Sequence, residues 1–276
     1  MAMKTPGFAS RAPEHRRNAD ADWDRWPVDA YLDENYRRLH PSDAAVIRHH
    51  AGVYRELAPA SIARSVECGT GPNLYPLMQA AAASRRIDAV EPGASNIAYL
   101  TRQLRYGPDP HWTAFYDLCR ALDPALPARL REALARVRVV PGSARTLPDG
   151  AYGLASMNFV AESVTEDLGE FAALCRAFVR SVRPGGLLVA AFMENMPSYR
   201  IASGLRWPAC PVDAETVRDV FAPYTQRLRV TRVPKDPTLP EYGDTGMVLL
   251  RAVRRAVAVE PRLSPGGAGT APRTAT

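Results

Sequence analysis

A glycine-containing turn near residue 70 constrains this chain more than any other feature. An apolar run at 62–66 leads to Glu67, and Gly69 and Gly71 follow before an apolar, helix-like stretch. This order predicts a strand, a tight turn and a helix. Glycines at these positions allow the backbone to turn without Cβ clashes and allow a ligand to lie against the main chain. The helix would point its free N–H groups at that ligand.

The turn lacks one glycine of a pyrophosphate site. The third glycine of the dinucleotide pattern G-x-G-x-x-G would fall at position 74, which is Leu74, and this argues against a dehydrogenase. The form Glu67-x-Gly69-x-Gly71 resembles instead the first motif of the class I S-adenosylmethionine (SAM) methyltransferases, whose cofactor carries no phosphate. The resemblance implies that Glu67 lies near the amino acid end of SAM. A turn that serves only packing is the alternative.

A second acidic residue follows at a spacing that suits a ribose site. The segment 86–91 is predicted to be the next strand, and it ends in Glu91. A carboxylate at the end of the second strand, about 20 residues past the glycine turn, can accept hydrogen bonds from both ribose hydroxyls. Asn96, near the start of the next helix, is a candidate for the same sugar. A solvated strand end is the alternative interpretation of Glu91.

Composition indicates a globular protein with one core. The chain has 276 residues, of which 46% are hydrophobic, enough for one good core and a small cap. No run approaches 18 apolar residues, so no membrane span is expected. The first residues lack the apolar core of a signal peptide, which predicts a cytoplasmic protein.

Charge and cysteine content exclude several other classes. The formal net charge is +6, but the arginines are scattered, so no nucleic-acid partner is expected. The four cysteines lie far apart with no C-x-x-C pair, which indicates neither a metal site nor a disulfide framework. The expected assembly is a monomer or a homodimer.

The predicted organisation is one α/β domain between two tails. Residues 1–20 and 257–276 are expected to be disordered. The domain covers 21–256; it begins with helices at 21–60, interpreted as a lid or as a cover over one end of the sheet, and contains a proline-punctuated insert at 107–136. Further strands are predicted at 138–140, 154–160 and 187–192, a helix at 167–182, and an antiparallel pair at 227–233 and 246–253.

Four stretches together resemble one branch of the class I methyltransferases, the family of nicotinamide, phenylethanolamine and thioether or indolethylamine N-methyltransferases. They are YLDENY at 31–36, GTGPNLY at 69–75, the tryptophan-containing insert with its strand at 112–140, and RPGG at 183–186 followed by Tyr199. The resemblance implies a Rossmann-like α/β fold: a mostly parallel seven-stranded sheet with an antiparallel last strand, helices on both faces and an N-terminal helical lid. It also implies SAM as the cofactor and S-adenosylhomocysteine (SAH) as its product.

The same resemblance suggests roles for individual residues. The cofactor residues are Tyr36, Glu67, Gly69, Gly71, Asn73 and Tyr75 around the amino acid moiety, Glu91 and Asn96 at the ribose, Gly142 and Ser143 at the adenine, and Asn158 after the fourth strand. The substrate residues are Tyr31, Glu162, Ser163, Glu194 and Tyr199. Two positions depart from the family: its paired N-terminal tyrosines are here Asn35 and Tyr36, and its acidic adenine partner is Gly142.

The implied reaction is SN2 transfer of a methyl group from SAM to a small molecule. An amine or heterocyclic nitrogen is favoured as the acceptor, in secondary metabolism. Alignment and exclusion of water would supply most of the rate gain. An amine must be neutral to attack, so Glu194 or Glu162 is predicted to orient it and accept its proton; loop solvation is the alternative for both.

Other functions stay open at this point. The same fold acts on oxygen or carbon when a stronger base or an activated substrate is present, and a non-catalytic SAM-binding partner protein is a further alternative. A nucleic-acid base methyltransferase would usually carry an Asn/Asp-Pro-Pro-aromatic turn after the fourth strand. Residues 158–161 read Asn-Phe-Val-Ala instead, so a small-molecule substrate is predicted.

Overall fold

The computed structural model describes residues 16–202 and 204–256. Residues 1–15 of the predicted N-terminal tail (1–20) and the whole of the predicted C-terminal tail (257–276) lie outside the described residues. The strands are β1 Ser65–Cys68, β2 Ile87–Glu91, β3 Val137–Pro141, β4 Tyr152–Asn158, β5 Val182–Glu194, β6 Ser198–Arg200, β7 Arg206–Pro208, β8 Thr225–Pro234 and β9 Gly246–Arg254. The helices are α1 Val28–Asn35, α2 Pro41–Tyr54, α3 Tyr75–Ala80, α4 Ala94–Tyr106, α5 Trp112–Leu122, α6 Leu130–Leu134, α7 Leu168–Ser181 and α8 Ala214–Phe221.

Seven strands form one sheet in the order β3-β2-β1-β4-β5-β9-β8. Strands β1 to β5 pair in parallel, and β9 runs antiparallel between β5 and β8. This arrangement confirms the predicted Rossmann-like sheet with an antiparallel last strand. The chain leaves β1 to form β2, its neighbour on one side, whereas β4 is the neighbour of β1 on the other side. The carboxyl ends of β1 and β4 therefore flank a topological switch point, where ligands of open α/β sheets bind.

Hydrophobic layers cover both faces of the sheet. Helices α2, α3, α4 and α5 pack on one face, where Trp112, Tyr75 and Tyr54 are fully buried. Helices α7 and α8 pack on the other face, around Phe178 and Phe221. Parallel strands buried on both faces read as near-continuous apolar runs, which is why the sequence pattern located them.

The insert contains a helix that the sequence analysis did not predict. Helix α5 buries Trp112, Phe115, Tyr116 and Cys119, at the i, i+3, i+4, i+7 spacing of one helix face. Farther along the insert, the charged stretch at 127–136 contains the five-residue helix α6. The insert thus adds buried side chains to the hydrophobic layer on the face of the sheet that also carries α2 and α3.

Residues 16–27, here called the N-terminal strap, run across the end of the domain. Arg16 N donates to Glu166 Oε2 at 3.2 Å and Asn18 N donates to Glu170 Oε2 at 3.0 Å. Residues 16–20, which the sequence analysis assigned to a disordered tail, are therefore tied to the loop before α7 and to its first turn. No helix among the described residues is long and apolar enough to cross a membrane.

Candidate functional site

The glycine turn after β1 lies at the centre of the site, and its two glycines have different surroundings. Gly69 has a φ of +64° and Gly71 a φ of +55°, a backbone conformation that favours glycine. A Cβ atom on Gly69 would lie 2.6 Å from Cγ1 of Val160, so the loop after β4 packs directly on this residue. A Cβ atom on Gly71 would meet nothing within 4 Å. Gly71 therefore leaves open space beside the main chain.

Glu91, at the end of β2, connects the glycine turn to the start of α4. Its Oε2 accepts a hydrogen bond from Gly71 N at 2.8 Å, and its Oε1 accepts from Gly93 N at 2.9 Å and from Asn96 Nδ2 at 3.1 Å. Burial raises the pKa of Glu91, and these donors oppose the shift. The Oδ1 atom of Asn96 is buried and has no hydrogen-bond partner among the described residues. A ligand group that donates a hydrogen bond would satisfy this oxygen.

Glu67 lies beneath the turn and does not line the cavity. Its carboxylate accepts hydrogen bonds from the Ser156 hydroxyl and, at 3.0 Å, from Asn158 Nδ2. Asn158 Oδ1 lies 3.0 Å from His50 Nε2, so the His50 tautomer that carries a proton on Nε2 satisfies it. Burial raises the pKa of Glu67 to about 7. Glu67 therefore orients Asn158, which does line the cavity, and has no direct route to a ligand.

A cavity of about 1300 Å³, its open mouth included, extends from the glycine turn toward α1 and α2. One end, here called the polar end, is lined by Gly69, Thr70, Gly71, Pro72, Asn73, Glu91, Pro92, Asn96, Ser143, Ala144 and Asn158. The other end, here called the aromatic end, is lined by Trp26, Tyr31, Asn35, Tyr36, Asp43, Phe159, Ser163, Met193, Met196, Tyr199, Leu239, Tyr242 and Met247. No lysine, arginine or histidine is among the described residues that line it.

Tyrosine hydroxyls join the two ends. Tyr36 OH accepts a hydrogen bond from Asn73 Nδ2 at 3.3 Å, and Tyr31 OH lies 3.5 Å from Tyr36 OH. Tyr199 OH donates to the backbone oxygen of Ser163 at 3.0 Å. Burial raises the pKa of Tyr31 to about 12 and that of Tyr36 well above its ordinary value. These phenols therefore remain neutral hydrogen-bonding groups at physiological pH.

Asp43 contributes a second carboxylate to the cavity, and the sequence analysis did not single it out. Helix α2 begins at Pro41 with His40 as its N-cap, so Asp43 lies in the first turn of the helix. Asp43 is 5% exposed, and its Oδ2 accepts a hydrogen bond from His40 N at 3.4 Å. Burial raises the pKa of Asp43 well above its ordinary value, and the neighbouring carboxylate Asp236 adds to the shift.

The structure does not bring Glu194 into the cavity, which corrects its predicted catalytic and substrate-binding roles. Both of its carboxylate oxygens accept hydrogen bonds from the Arg232 guanidinium, and Thr245 Oγ1 donates to Oε2 at 2.7 Å. The ion pair with Arg232 holds the pKa of Glu194 below its ordinary value. Because β5, β8 and β9 are neighbours in the sheet, these contacts serve to stabilise its edge.

Glu162 is fully buried behind the aromatic end and does not line it. Its Oε1 accepts from Met193 N at 2.9 Å and from Ser163 Oγ at 3.3 Å, while Oε2 has no partner among the described residues. Burial raises the pKa of Glu162 to about 7. In the described conformation this carboxyl reaches the cavity only through Ser163 and Met193.

The remaining predicted residues divide into two groups. Tyr31, Tyr36, Gly69, Gly71, Asn73, Glu91, Asn96, Ser143, Asn158, Ser163 and Tyr199 line the cavity. Tyr75 and Gly142 do not. Tyr75 is fully buried against Phe115, with ring centroids 5.9 Å apart, so it supports the turn from below. Gly142 has a φ of +153° and places Ser143 at the cavity wall.

The N-terminal strap closes one side of the cavity. Trp23 stacks on Trp207 of the β6–β7 hairpin, with centroids 5.1 Å apart, and Trp26 packs 4.8 Å from the same ring. Asp24 Oδ1 accepts from Ala94 N, at the start of α4, at 2.7 Å. The strap therefore connects the start of α4 to the hairpin and places Trp26 at the aromatic end.

The described residues offer no candidate metal site. Among the described residues there is no group of three or more histidine, cysteine, aspartate or glutamate side chains arranged to hold a metal ion. The four cysteines are all free and buried. The charged side chains of the cavity wall are Asp43 and Glu91.

Comparisons with known proteins identify the fold. No family model and no curated protein matches the chain. The [4+2]-cyclase SpnF is a structural neighbour with a TM-score of 0.52 and 15% identity, covering 77% of this chain and 80% of its own. A SAM-dependent methyltransferase from Methanosarcina mazei is another, with a TM-score of 0.50 and 10% identity, covering 79% of this chain and 99% of its own. Structural similarity at 10–15% sequence identity establishes the fold of the chain but not the reaction that it catalyses. We conclude that the chain has the Rossmann-like fold seen in SAM-dependent methyltransferases.

Proposed function

We propose that the chain is a SAM-dependent methyltransferase that methylates a small molecule, with an amine or heterocyclic nitrogen as the acceptor. The observation that carries the proposal is one continuous cavity at the topological switch point. Its polar end presents Glu91 and Asn96 beside the glycine turn, and its aromatic end encloses a space suited to a small organic molecule.

The residues at the polar end fit this cofactor. Asn96 Oδ1 is buried without a partner among the described residues, and Gly71 has open space where any other residue would place a Cβ atom. A nucleoside that donates ribose hydroxyls would satisfy the first and occupy the second. No described residue with a cationic side chain lines the cavity, and Leu74 replaces the third glycine of a dinucleotide site. Both features favour a phosphate-free nucleoside over a dinucleotide.

The chain's own contribution to catalysis is positioning. SAM, when bound, supplies an electrophilic methyl group on a sulfonium ion. Tyr36 and Asn73 lie where the polar and aromatic ends meet, and the Tyr199 hydroxyl is held by Ser163 O at 3.0 Å. The rings around them are buried, so they exclude water from the line along which the acceptor attacks. Fixed alignment of two reactants is the largest gain available to a site of this kind.

The charge of the cavity wall supports a nitrogen acceptor. The wall carries two carboxyl groups and no described cationic side chain, so an anionic acceptor would be repelled. A phenol or an enol acceptor usually needs a base of suitable pKa to remove its proton. No imidazole or amine of a described residue lines the cavity to do so, whereas an amine requires only its own neutral form.

Calorimetric titration tests the proposal. The purified chain is titrated with SAM, SAH and NAD in separate experiments. We expect saturable binding of SAM and SAH and none of NAD, followed by methyl transfer to at least one member of a set of amines, phenols and heterocycles. Binding of NAD alone, or no binding of any of the three by a folded sample, would refute the proposal.

A further inference from the structure

Asp43 is a buried carboxyl group whose hydrogen-bonding capacity is largely unused. It lies in the first turn of α2, is 5% exposed, and lines the cavity. The His40 N contact to Oδ2, at 3.4 Å, is long. Burying a carboxyl group with so few hydrogen bonds costs free energy. Because Asp43 lines the cavity, a ligand that donates a hydrogen bond or carries a positive charge would offset this cost.

The structural contact of Asp43 is local: as the third residue of α2, it accepts a hydrogen bond from the N-cap residue His40. The start of α2 is tied to the loop between β8 and β9 by Ser42 N, which donates to Asp236 Oδ2 at 2.9 Å, and by His40 Nδ1, which lies 2.8 Å from Thr238 Oγ1. Asp236 therefore makes the structural contacts between the two segments, and Asp43 remains directed at the cavity.

The side chains around Asp43 suit a cation. Trp26, Tyr31, Tyr36 and Tyr242 present aromatic rings to the same space, and the faces of such rings attract ammonium groups. The negative charge of Asp43 acts on Tyr31, Tyr36 and Tyr75, so the carboxyl group lies near the tyrosines that join the two ends of the cavity. An ammonium partner would favour the ionised form of Asp43 that burial otherwise opposes.

We propose that Asp43 determines acceptor specificity by pairing with an ammonium group, so that the acceptor enters the site as an organic cation. The ammonium group gives one proton to the Asp43 carboxylate, and the neutral amine then attacks the methyl group. This inference rests on the proposed function, because it assigns the aromatic end to the acceptor. It assigns the anionic contact to α2 and not to Glu194, which is paired with Arg232. Pairing of Asp43 with the ammonium group of SAM itself is the competing assignment.

The test compares matched cationic and neutral ligands on the SAH-saturated protein. Primary amines, from β-phenylethylamine to tryptamine and aliphatic diamines, are titrated against their alcohol counterparts such as 2-phenylethanol. We expect at least one amine to bind more tightly than its alcohol. Asp43→Asn should weaken that amine at least about tenfold, the effect of losing one charge-assisted hydrogen bond, and leave SAH and the alcohol within about twofold.

A control variant separates recognition from general charge and stability. Asp236→Asn makes the same change of charge in the adjoining loop, outside the cavity wall, and should preserve the preference for the amine. Asn can still accept the bond from His40 N, and Asp43→Ser is a second variant if the first does not fold.

Three results would overturn the inference: weaker SAH binding by Asp43→Asn, equal affinity of that variant and the wild type for the amine, or no binding of any amine to the SAH-bound protein. Failure of the wild type to bind SAH would instead refute the proposed function.

Discussion

Glu91→Gln is the substitution that probes the polar end most directly. The carboxylate accepts hydrogen bonds from Gly71 N, Gly93 N and Asn96 Nδ2, at 2.8, 2.9 and 3.1 Å. Glutamine carries one carbonyl oxygen, so whichever way the amide is turned, its NH₂ group faces at least one of these donors. The variant therefore loses the charge and leaves a buried N–H group unpaired.

The expected magnitude follows from these contacts. Leaving one buried donor unpaired costs about 1–3 kcal/mol, so the free energy of unfolding should fall by about that amount. The ribose hydroxyls of the cofactor would meet a neutral amide in place of a carboxylate. Hydrogen bonds to a charged acceptor contribute about 1.5–3 kcal/mol, so SAH affinity should fall by about 10-fold to 150-fold.

Calorimetry with SAH, together with urea unfolding, measures the two effects separately. Glu56→Gln is the matched control, because Glu56 pairs with Arg251 at the surface and does not line the cavity. It should leave SAH affinity unchanged. Equal SAH affinity of folded Glu91→Gln and wild type would refute the assignment of Glu91 to the ribose.

Three further predictions follow from the site. Gly69→Ala should lower the free energy of unfolding more than Gly71→Ala, because a Cβ on Gly69 meets Val160 at 2.6 Å, whereas a Cβ on Gly71 meets nothing within 4 Å and bears the left-handed backbone cost of about 1–2 kcal/mol. Gly71→Ala should also lower SAH affinity, because its Cβ enters the space assigned to the nucleoside; urea unfolding and calorimetry compare the two variants. Glu194→Gln should lower stability by breaking the Arg232 pair and leave kcat unchanged, and a tenfold fall in kcat at unchanged stability would make Glu194 catalytic after all. The folded-state pKa of Glu67, about 7, exceeds its unfolded value, so its contribution to stability is present below about pH 4.5 and lost as pH rises to about 7. Between pH 5 and pH 8 the wild type should lose about 2.5 kcal/mol more unfolding free energy than Glu67→Gln. Equal pH dependence of the two proteins would contradict the raised pKa of Glu67.

The sequence predicted the elements whose signals are local. The apolar runs predicted the buried strands, and the glycine turn and Glu91 lie together because parallel strands end at the same edge of the sheet.

The elements that the sequence missed depend on distant contacts. Glu194 follows β5, where a catalytic residue is plausible on position alone, but its partner Arg232 is 38 positions away on β8. Nothing near Glu194 in the sequence indicates this pairing. Asp43 looks like an ordinary first-turn acid of a helix, and only the packing of α2 against the loop carrying Asp236 directs it into the cavity. Long-range pairing of this kind has no local pattern.

The proposed methyl transfer would move positive charge from the sulfonium toward the acceptor, and the distribution of charge in this cavity bears on that step. Glu91 lies at the polar end and Asp43 at the aromatic end. A carboxylate near the acceptor stabilises the charge that develops there, more in a dry site than in water. A cationic side chain in the same place would oppose the reaction. The pairing of Glu194 with Arg232 outside the cavity keeps that guanidinium and its charge away from the acceptor. If Asp43 binds the acceptor, the group that recognises the substrate also favours the direction in which charge moves.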